Sequence, residues 1–223
     1  MTDDFNNGLN SEKLRSILRS LAAEKQVKQW DLGASCSKDH FVQVDKGEAK
    51  QLKASQRSSI TIRVWNNDGL VGTTSTSDLS KGGIEKAFVG AFQASQFGNP
   101  NDIPDFSPLA KSELPKLSKK LYSFKGIKKL LELLRTAEYE LLNKHHAIQN
   151  IPYNGLAESE FQRIYLNSEG ASRNIKSTHA NLYLYARAEE NNNKPRSSGA
   201  IRIAHGVDEL DINGCIEEAA KRT

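Results

Sequence analysis

The sequence predicts an α+β fold. It reads as a tandem duplication of one helix–antiparallel sheet–helix unit, a two-layer arrangement with the helices packed on one face of the sheet. Three observations carry this. Along the 223 residues, apolar positions pass from helical spacing to strict alternation and back to helical spacing, twice. Strong turn signals punctuate the alternating stretches, at Asn66-Asn67-Asp68-Gly69 and Asn167-Ser168-Glu169-Gly170. The helical stretches Ile84–Ala91 and Ile212–Ala219 match at an offset of 128, and the strands Ile60–Val64 and Leu182–Ala186 match at 122. One longer loop absorbs the difference. Residue identity between the halves is low, so what repeats is the pattern.

In the first half, Leu14, Ile17, Leu18, Leu21 and Ala22 recur at helical spacing, with Ser11 as the expected N-cap. Short strands are expected at Asp31–Ser37 and Phe41–Val44, with His40 at the bend between them. From Ser59, Ile60, Ile62 and Val64 face one way and Thr61, Arg63 and Trp65 the other, which marks a half-buried strand. Leu70–Thr76 returns as its hairpin partner. Asp78 or Ser80 caps a helix carrying Ile84, Ala87, Phe88 and Ala91, which ends at Gly98-Asn99-Pro100. Pro100, Pro104, Pro108 and Pro115 then break both helix and sheet, so an extended connector is expected.

The second half repeats the order. A helix from Ile127 to His146 places Leu130, Leu134, Ala137 and Leu141 on one face, with Lys144, His145 and His146 in its last turn, where positive charge suits the helix dipole. Strands follow at Tyr153–Glu158 and Phe161–Asn167. Asn181–Arg187 alternates, with Leu182, Leu184 and Ala186 opposite Tyr183, Tyr185 and Arg187. A polar turn, Glu189–Pro195, leads to a strand at Gly199–Ala204, and Asp211 opens a last helix with Ile212, Ile216 and Ala219. That helix reaches Thr223 without a Gly or Asn cap, as in a chain cut near a helix end or one with a frayed terminus. The domain boundaries expected are 1–97 for the first repeat, 98–124 for the connector and 125–223 for the second repeat.

Composition narrows the function classes. At 37% hydrophobic and 26% charged residues, this is an ordinary globular chain, and no stretch approaches the ~18 apolar residues of a membrane span. Met1-Thr2-Asp3-Asp4-Phe5 is acidic and polar, unlike a secretory or transit signal, which leaves the cytoplasm as the expected address. Two cysteines, Cys36 and Cys215, make no disulfide framework and no CxxC pair. The net charge of +4 arises in one place: residues 111–129 hold seven lysines against Glu113 alone, while residues 1–110 sum to zero. With Tyr122 and Phe124 interleaved, this segment could stack on bases. Lysine predominates over arginine, proline breaks the segment, and no nucleic-acid module surrounds it, so a solvated linker is the better expectation.

No catalytic set is evident. The five histidines, His40, His145, His146, His179 and His205, include no pair at ligand spacing with a carboxylate between, and adjacent His145 and His146 would point about 100° apart on a helix. Gly82-Gly83 lacks the frame of a phosphate loop and reads as a helix entry turn. Ser168 sits in a turn signal rather than a nucleophile elbow. The face bearing Tyr183, Tyr185 and Arg187, or an open sheet edge, could take up an extended peptide as an added strand. No catalytic, cofactor-binding or metal-binding residue is therefore assigned.

Three local sequences, in order, resemble the PmbA/TldE branch of the TldD/PmbA family, the modulators of DNA gyrase. They are Gly72-Thr73-Thr74-Ser75-Thr76-Ser77-Asp78-Leu79-Ser80, then Asn167-Ser168-Glu169-Gly170 with Ser177-Thr178-His179, then Ala188-Glu189-Glu190-Asn191. The resemblance spans residues 30–220 and covers the amino-terminal half of such a protein, without the family's C-terminal domain. It implies a cytoplasmic, bacterial-type, non-catalytic subunit that pairs with a TldD-like sister subunit, with a homodimer also compatible. It further implies that zinc resides only in that sister, on an HExxxH helix absent here, and that the complex processes or degrades small unfolded peptides, including precursors of modified peptide antibiotics. The gyrase label rests on a genetic association and implies no direct DNA site. The alternative is an adaptor that acts on gyrase or nucleic acid through residues 111–129.

Overall fold

The computed structural model describes residues 9–101, 104–112, 114–115, 120–190 and 193–223. Its elements run α1 (Ser11–Glu24), β1 (Gln29–Asp45), β2 (Glu48–Trp65), β3 (Val71–Thr76), α2 (Lys81–Ser95), α3 (Ile127–Leu142), β4 (Ile148–Asn167), β5 (Ser172–Ala188), β6 (Arg196–Ala204) and α4 (Ile212–Arg222). Short 3-10 turns lie at Pro108–Ala110 and Val207–Glu209. Helix, three strands, helix thus occurs twice. The strands of the described residues form one antiparallel sheet ordered β3-β2-β1-β4-β5-β6.

The chain packs as two compact units that interleave along the sequence. The first comprises Met1–Ser37, Gln56–Lys119 and Phe161–Lys176; the second comprises Lys38–Ser55, Lys120–Glu160 and Ser177–Thr223. Strand length allows this. β1, β2, β4 and β5 run 17, 18, 20 and 17 residues, so each supplies one stretch to each unit. The short strands expected at Asp31–Ser37 and Phe41–Val44 are therefore one strand, with His40 inside it rather than at a bend. Tyr153–Glu158 and Phe161–Asn167 likewise fuse into β4. The first half of β2 gave no signal at all, because Glu48–Ser58 is almost wholly exposed.

In the first unit, α1 presents Leu14, Leu18, Leu21 and Ala22, and α2 presents Ile84, Ala87, Phe88 and Ala91. Both pack over Leu32, Ala34, Ile60, Ile62, Val64, Ile164 and Leu166 of the strands. Each fully buried leucine or isoleucine here contributes roughly 1.5–3 kcal/mol over exposure. The alternating residues of the same strands point to the face away from α1 and α2. Asn10, not Ser11, caps α1, its side chain accepting from the Lys13 amide at 2.9 Å. Ser80 caps α2 by accepting from the Gly83 amide. β3 lies close on α2 at Gly72, where any Cβ would overlap the helix backbone at Ala91 and Ser95.

In the second unit, Leu130, Leu134, Ala137 and Leu141 of α3 and Cys215, Ile216 and Ala219 of α4 cover Val42, Val44, Leu156, Leu182, Leu184, Ala186 and Ala200. Asp211 caps α4 as expected, accepting from the Gly214 amide. α3 stops at Leu142, with Asn143 as its C-cap, so Lys144, His145 and His146 lie beyond the helix and not in its last turn. The Lys46-Gly47 turn joining β1 to β2 has φ of 54° and 79°, the pair of positive values a tight two-residue hairpin needs. Glycine is free to adopt such a φ.

The connector is less solvated than its composition suggests. Phe106 is buried with its ring 5.2 Å from Trp65, whose indole N–H donates to the Pro104 carbonyl at 2.8 Å. Asn167 donates to the Ala110 carbonyl at 2.7 Å, so Pro104–Ala110 is tied down on the first unit. Lys116 and Lys119 of the basic segment, Glu113 within it, and Asn191 of the third resembling sequence lie outside the described residues.

Candidate functional site

The residues with chemical potential fall into clusters, each held within one unit. The first cluster is buried charge on the helix-free face of the first unit. Asp31 of β1, 3% exposed, accepts two hydrogen bonds from the Arg63 guanidinium of β2, through Nε at 2.9 Å and through Nη2. Tyr165 Oη of β4 lies 3.5 Å from the same carboxylate, and Asn167 Nδ2 is 3.4 Å from Tyr165 Oη. These contacts raise the Arg63 pKa, chiefly through the hydrogen bond to Asp31. Burial pushes the Tyr165 phenol up. Arg63 also sits 5.2 Å from the Trp65 ring centre. Every group has a partner and no nucleophile adjoins, so the network is a fixed ion pair, buried at Asp31 and partly open to water at Arg63, and not an acid–base pair.

In the second unit, buried Glu158 accepts from the Lys125 and Gly126 amides at 2.8 and 2.7 Å, with His40 Nδ1 at 3.4 Å. A carboxylate beside a histidine resembles half of a catalytic triad. Here it does structural work: α3 has no side-chain cap of its own, and Glu158 anchors the two amides that lead into the helix. His40 packs on Phe124 at 4.6 Å, and Lys38 stands 4.7 Å above the same ring. Glu138 of α3 performs the corresponding task on the hairpin, accepting from the Lys46 and Gly47 amides at 3.1 and 2.7 Å.

Among the described residues, one group of three histidine, cysteine or acidic side chains could hold a metal ion: His145, His146 and Glu190, with ligand atoms within 4.8 Å of one another. Helical geometry would have kept the two histidines apart. Lying beyond α3, their rings instead come within 4.2 Å, and His146 Nε2 reaches Glu190 Oε1 at 3.8 Å. The set does not fit a catalytic zinc. All three residues are exposed, and His145 Nδ1 already accepts from the Ala147 amide at 3.2 Å. Catalytic zinc sites instead have their donors oriented by outer-shell partners in a dry, shaped cavity.

The remaining sequence candidates resolve into structure. Ser168 and Trp30 exchange hydrogen bonds, the Ser168 amide to the Trp30 carbonyl at 2.9 Å and the Trp30 amide to Ser168 Oγ at 3.3 Å, which makes Ser168 a strand tie. At Gly82-Gly83, Ser80 occupies the Gly83 amide, and two hydrogen bonds from Ser80 hold the Asp78 carboxyl below its usual range. A carboxylate at that helix start disfavours an anion there. Cys36 and Cys215 are buried free thiols in different units. Burial raises both, Cys215 to about 11, so neither is a ready nucleophile.

The basic segment is largely engaged. Lys111 pairs with Asp105, Lys120 with Glu209, Lys125 with Asp208 and Lys129 with Glu132, at 3.5, 3.7, 2.6 and 3.5 Å. The Tyr122 hydroxyl bonds Glu209, and its ring lies against Gly206. With Phe124 under His40 and Lys38, both aromatics face protein neighbours. On the second unit's helix-free face, Tyr183 lies on the Gly155 backbone, 2.6 Å from where a Cβ would stand, and accepts from Gln43 Nε2 at 3.0 Å. Edge strand β6 leaves Ile201 and Ile203 52% and 79% exposed beside it, an apolar rim for an extended chain.

Comparisons with known proteins agree with this architecture. The family model of the PmbA/TldA metallopeptidase domain 1 matches residues 30–95, and that of the PmbA/TldA metallopeptidase central domain matches residues 122–223. No curated protein matches. A candidate modulator of a DNA gyrase from Thermotoga maritima superposes with a TM-score of 0.72 at 17% identity, over 96% of this chain and 47% of that one. TldE from Thermococcus kodakarensis gives 0.72 at 18%, over 92% and 46%. A candidate modulator of DNA gyrase from Bacteroides thetaiotaomicron gives 0.76 at 16%, over 100% and 50%. The chain thus spans about half the length of the solved proteins whose fold it shares.

Proposed function

Because this chain belongs to the PmbA/TldA metallopeptidase family, we propose that it forms the scaffold of a non-catalytic, TldE-like subunit. In this reading it works in the cytoplasm beside a catalytic metallopeptidase subunit that handles small unfolded peptides. The observation that carries the reading is the consecutive match of the family's first and central domains along a doubled α–β–β–β–α scaffold. The fold shared with TldE supports the branch. The exposed His145, His146 and Glu190 do not suit a catalytic ion, and in this reading the metal belongs to the sister subunit. This chain contributes sheet faces and the β6 edge, where an extended peptide can add main-chain hydrogen bonds. No helix of the described residues is long and apolar enough to cross a membrane.

The test mixes the purified protein with a TldD-like partner and an unstructured peptide. Chelator-sensitive cleavage is expected from the mixture and not from this chain alone. Cleavage by this chain alone, or none by the mixture, overturns the reading. The names of two structural neighbours keep a gyrase or nucleic-acid adaptor acting through residues 111–129 as the second reading. Replacing the segment's lysines with glutamine and finding gyrase and DNA affinity unchanged removes it.

A further inference from the structure

The face of the first unit turned away from α1 and α2 carries an open depression of about 390 Å³. Its polar lining comes from four strands: Ser35 of β1, Ser59 and Thr61 of β2, Arg163 and Tyr165 of β4, and Arg173 of β5. Two lining residues are cations and none is an acid. The nearby carboxylate on β1, Asp31, is engaged by Arg63 and Tyr165. Neither Arg163 nor Arg173 has a carboxylate partner of that kind among the described residues.

Arg173 supplies the sharper observation. Its Nη1 is buried and meets no hydrogen-bond acceptor among the described residues. A buried donor without an acceptor is costly, more so when charged, so such groups are rare in folded proteins. Arg163 is exposed, with its guanidinium 5.0 Å from the Phe161 ring centre. Stacking on a ring uses the flat face of the guanidinium and leaves its N–H edge available. Two arginine forks beside the hydroxyls of Ser35 and Ser59 suit a planar, two-oxygen anion, and Ile175 adds an apolar edge.

We propose that this depression binds a carboxylate of an extended peptide through Arg163 and Arg173. The carboxylate can be the C-terminal group or an acidic side chain. The choice of a peptide rests on the function proposed above; the anion preference rests on the two arginines.

Fluorescence anisotropy of the 223-residue chain with short N-terminally labelled Ala/Gln peptides tests this without a partner subunit or any cleavage. Three peptides are compared: a free C-terminal acid, its amide, and the amide with one internal glutamate. The free acid is expected to bind about tenfold or more tighter than the plain amide, equivalent to one charge-assisted contact. The glutamate amide separates the two carboxylate sources: binding like the free acid means any carboxylate serves, and binding like the plain amide restricts the site to the C-terminus. Arg163→Gln and Arg173→Gln should each lower affinity for the acid by about tenfold, with Arg173→Lys between Arg173→Gln and the native chain. Arg163 is exposed, so its variant reads out even if Arg173→Gln does not fold. Equal binding of acid and amide, no binding at all, or an Arg163→Gln variant that binds the acid as the native chain does overturns the proposal. Cleavage by the complex is a separate measurement, so either idea can fail while the other stands.

Discussion

In the first unit, turns and helix starts are fixed mostly by neutral side chains, Asp78 ahead of α2 excepted; in the second, carboxylates do much of the same work. Asn66 accepts from the Asp68 and Leu70 amides at 3.0 and 2.9 Å, and Asn167 accepts from Glu169 and Ala171 at 3.2 and 2.9 Å. Both turns contain a glycine at positive φ, Gly69 at 80° and Gly170 at 99°. Asn10 and Ser80 cap the helices. In the second unit Glu138 holds the hairpin, Glu158 holds the start of α3, and Asp211 caps α4. The one buried carboxylate among the described residues of the first unit, Asp31, meets a guanidinium instead. The two units thus hold corresponding turns and helix starts by different chemistry. The fold specifies where acceptors are needed, and leaves open whether they carry charge.

The contrast breaks most readily at Glu158. Glu158→Ala removes both acceptors from the Lys125 and Gly126 amides and leaves His40 without its carboxylate. The expected loss is about 3 kcal/mol, from two charge-assisted hydrogen bonds of roughly 1.5–3 kcal/mol each, partly offset by entering water. Urea unfolding reads the loss, and faster amide exchange at Lys125 and Gly126 locates it. Glu158→Gln keeps one acceptor and should lose about half as much. If both variants are as stable as the native protein, the carboxylate does not hold α3.

Asp31 and Arg63 come next. Arg63→Met leaves Asp31 buried without its cation, which would cost about 3–5 kcal/mol for a fully buried pair. The Arg63 side chain is 36% exposed, so water screens part of this and about 2 kcal/mol is expected. The double variant Asp31→Asn, Arg63→Met should regain part of it, because no charge is then stranded. An additive double variant would show that the two side chains do not act as a pair.

These comparisons also explain what the sequence revealed. The helices, the Ile60–Val64 strand, its hairpin partner and the repeat were legible because one face of each is buried, and burial imposes a period. Glu48–Ser58 was not, because an exposed strand held by main-chain pairing carries no apolar alternation. The end of α3 was misplaced by one turn because Asn143, a helix-ending residue, stood in a run of polar residues that suited the helix dipole equally well. His145, His146 and Glu190 meet only once that helix has ended. Arg163 and Arg173 belong to no motif. They join Ser35, Ser59 and Thr61 through strands far apart in sequence, and local patterns carry no information about that juxtaposition.

The finest contrast is between the caps of α1 and α4. Asn10→Ala should cost about 1 kcal/mol through one neutral hydrogen bond to the Lys13 amide, with little dependence on salt. Asp211→Asn retains the acceptor for the Gly214 amide but removes the charge, which faces both the helix start and Arg202 Nε at 3.4 Å. Because that carboxylate is exposed, the expected loss is only about 0.3–0.5 kcal/mol, and it should vanish in 1 M salt, where the screening length is roughly 3 Å. Thermal unfolding of both variants at low and high salt separates the two kinds of cap. A salt-insensitive Asp211→Asn would mean that charge is incidental to how the second unit holds its helix ends, and a salt-sensitive Asn10→Ala would mean that charge also bears on the cap of the first.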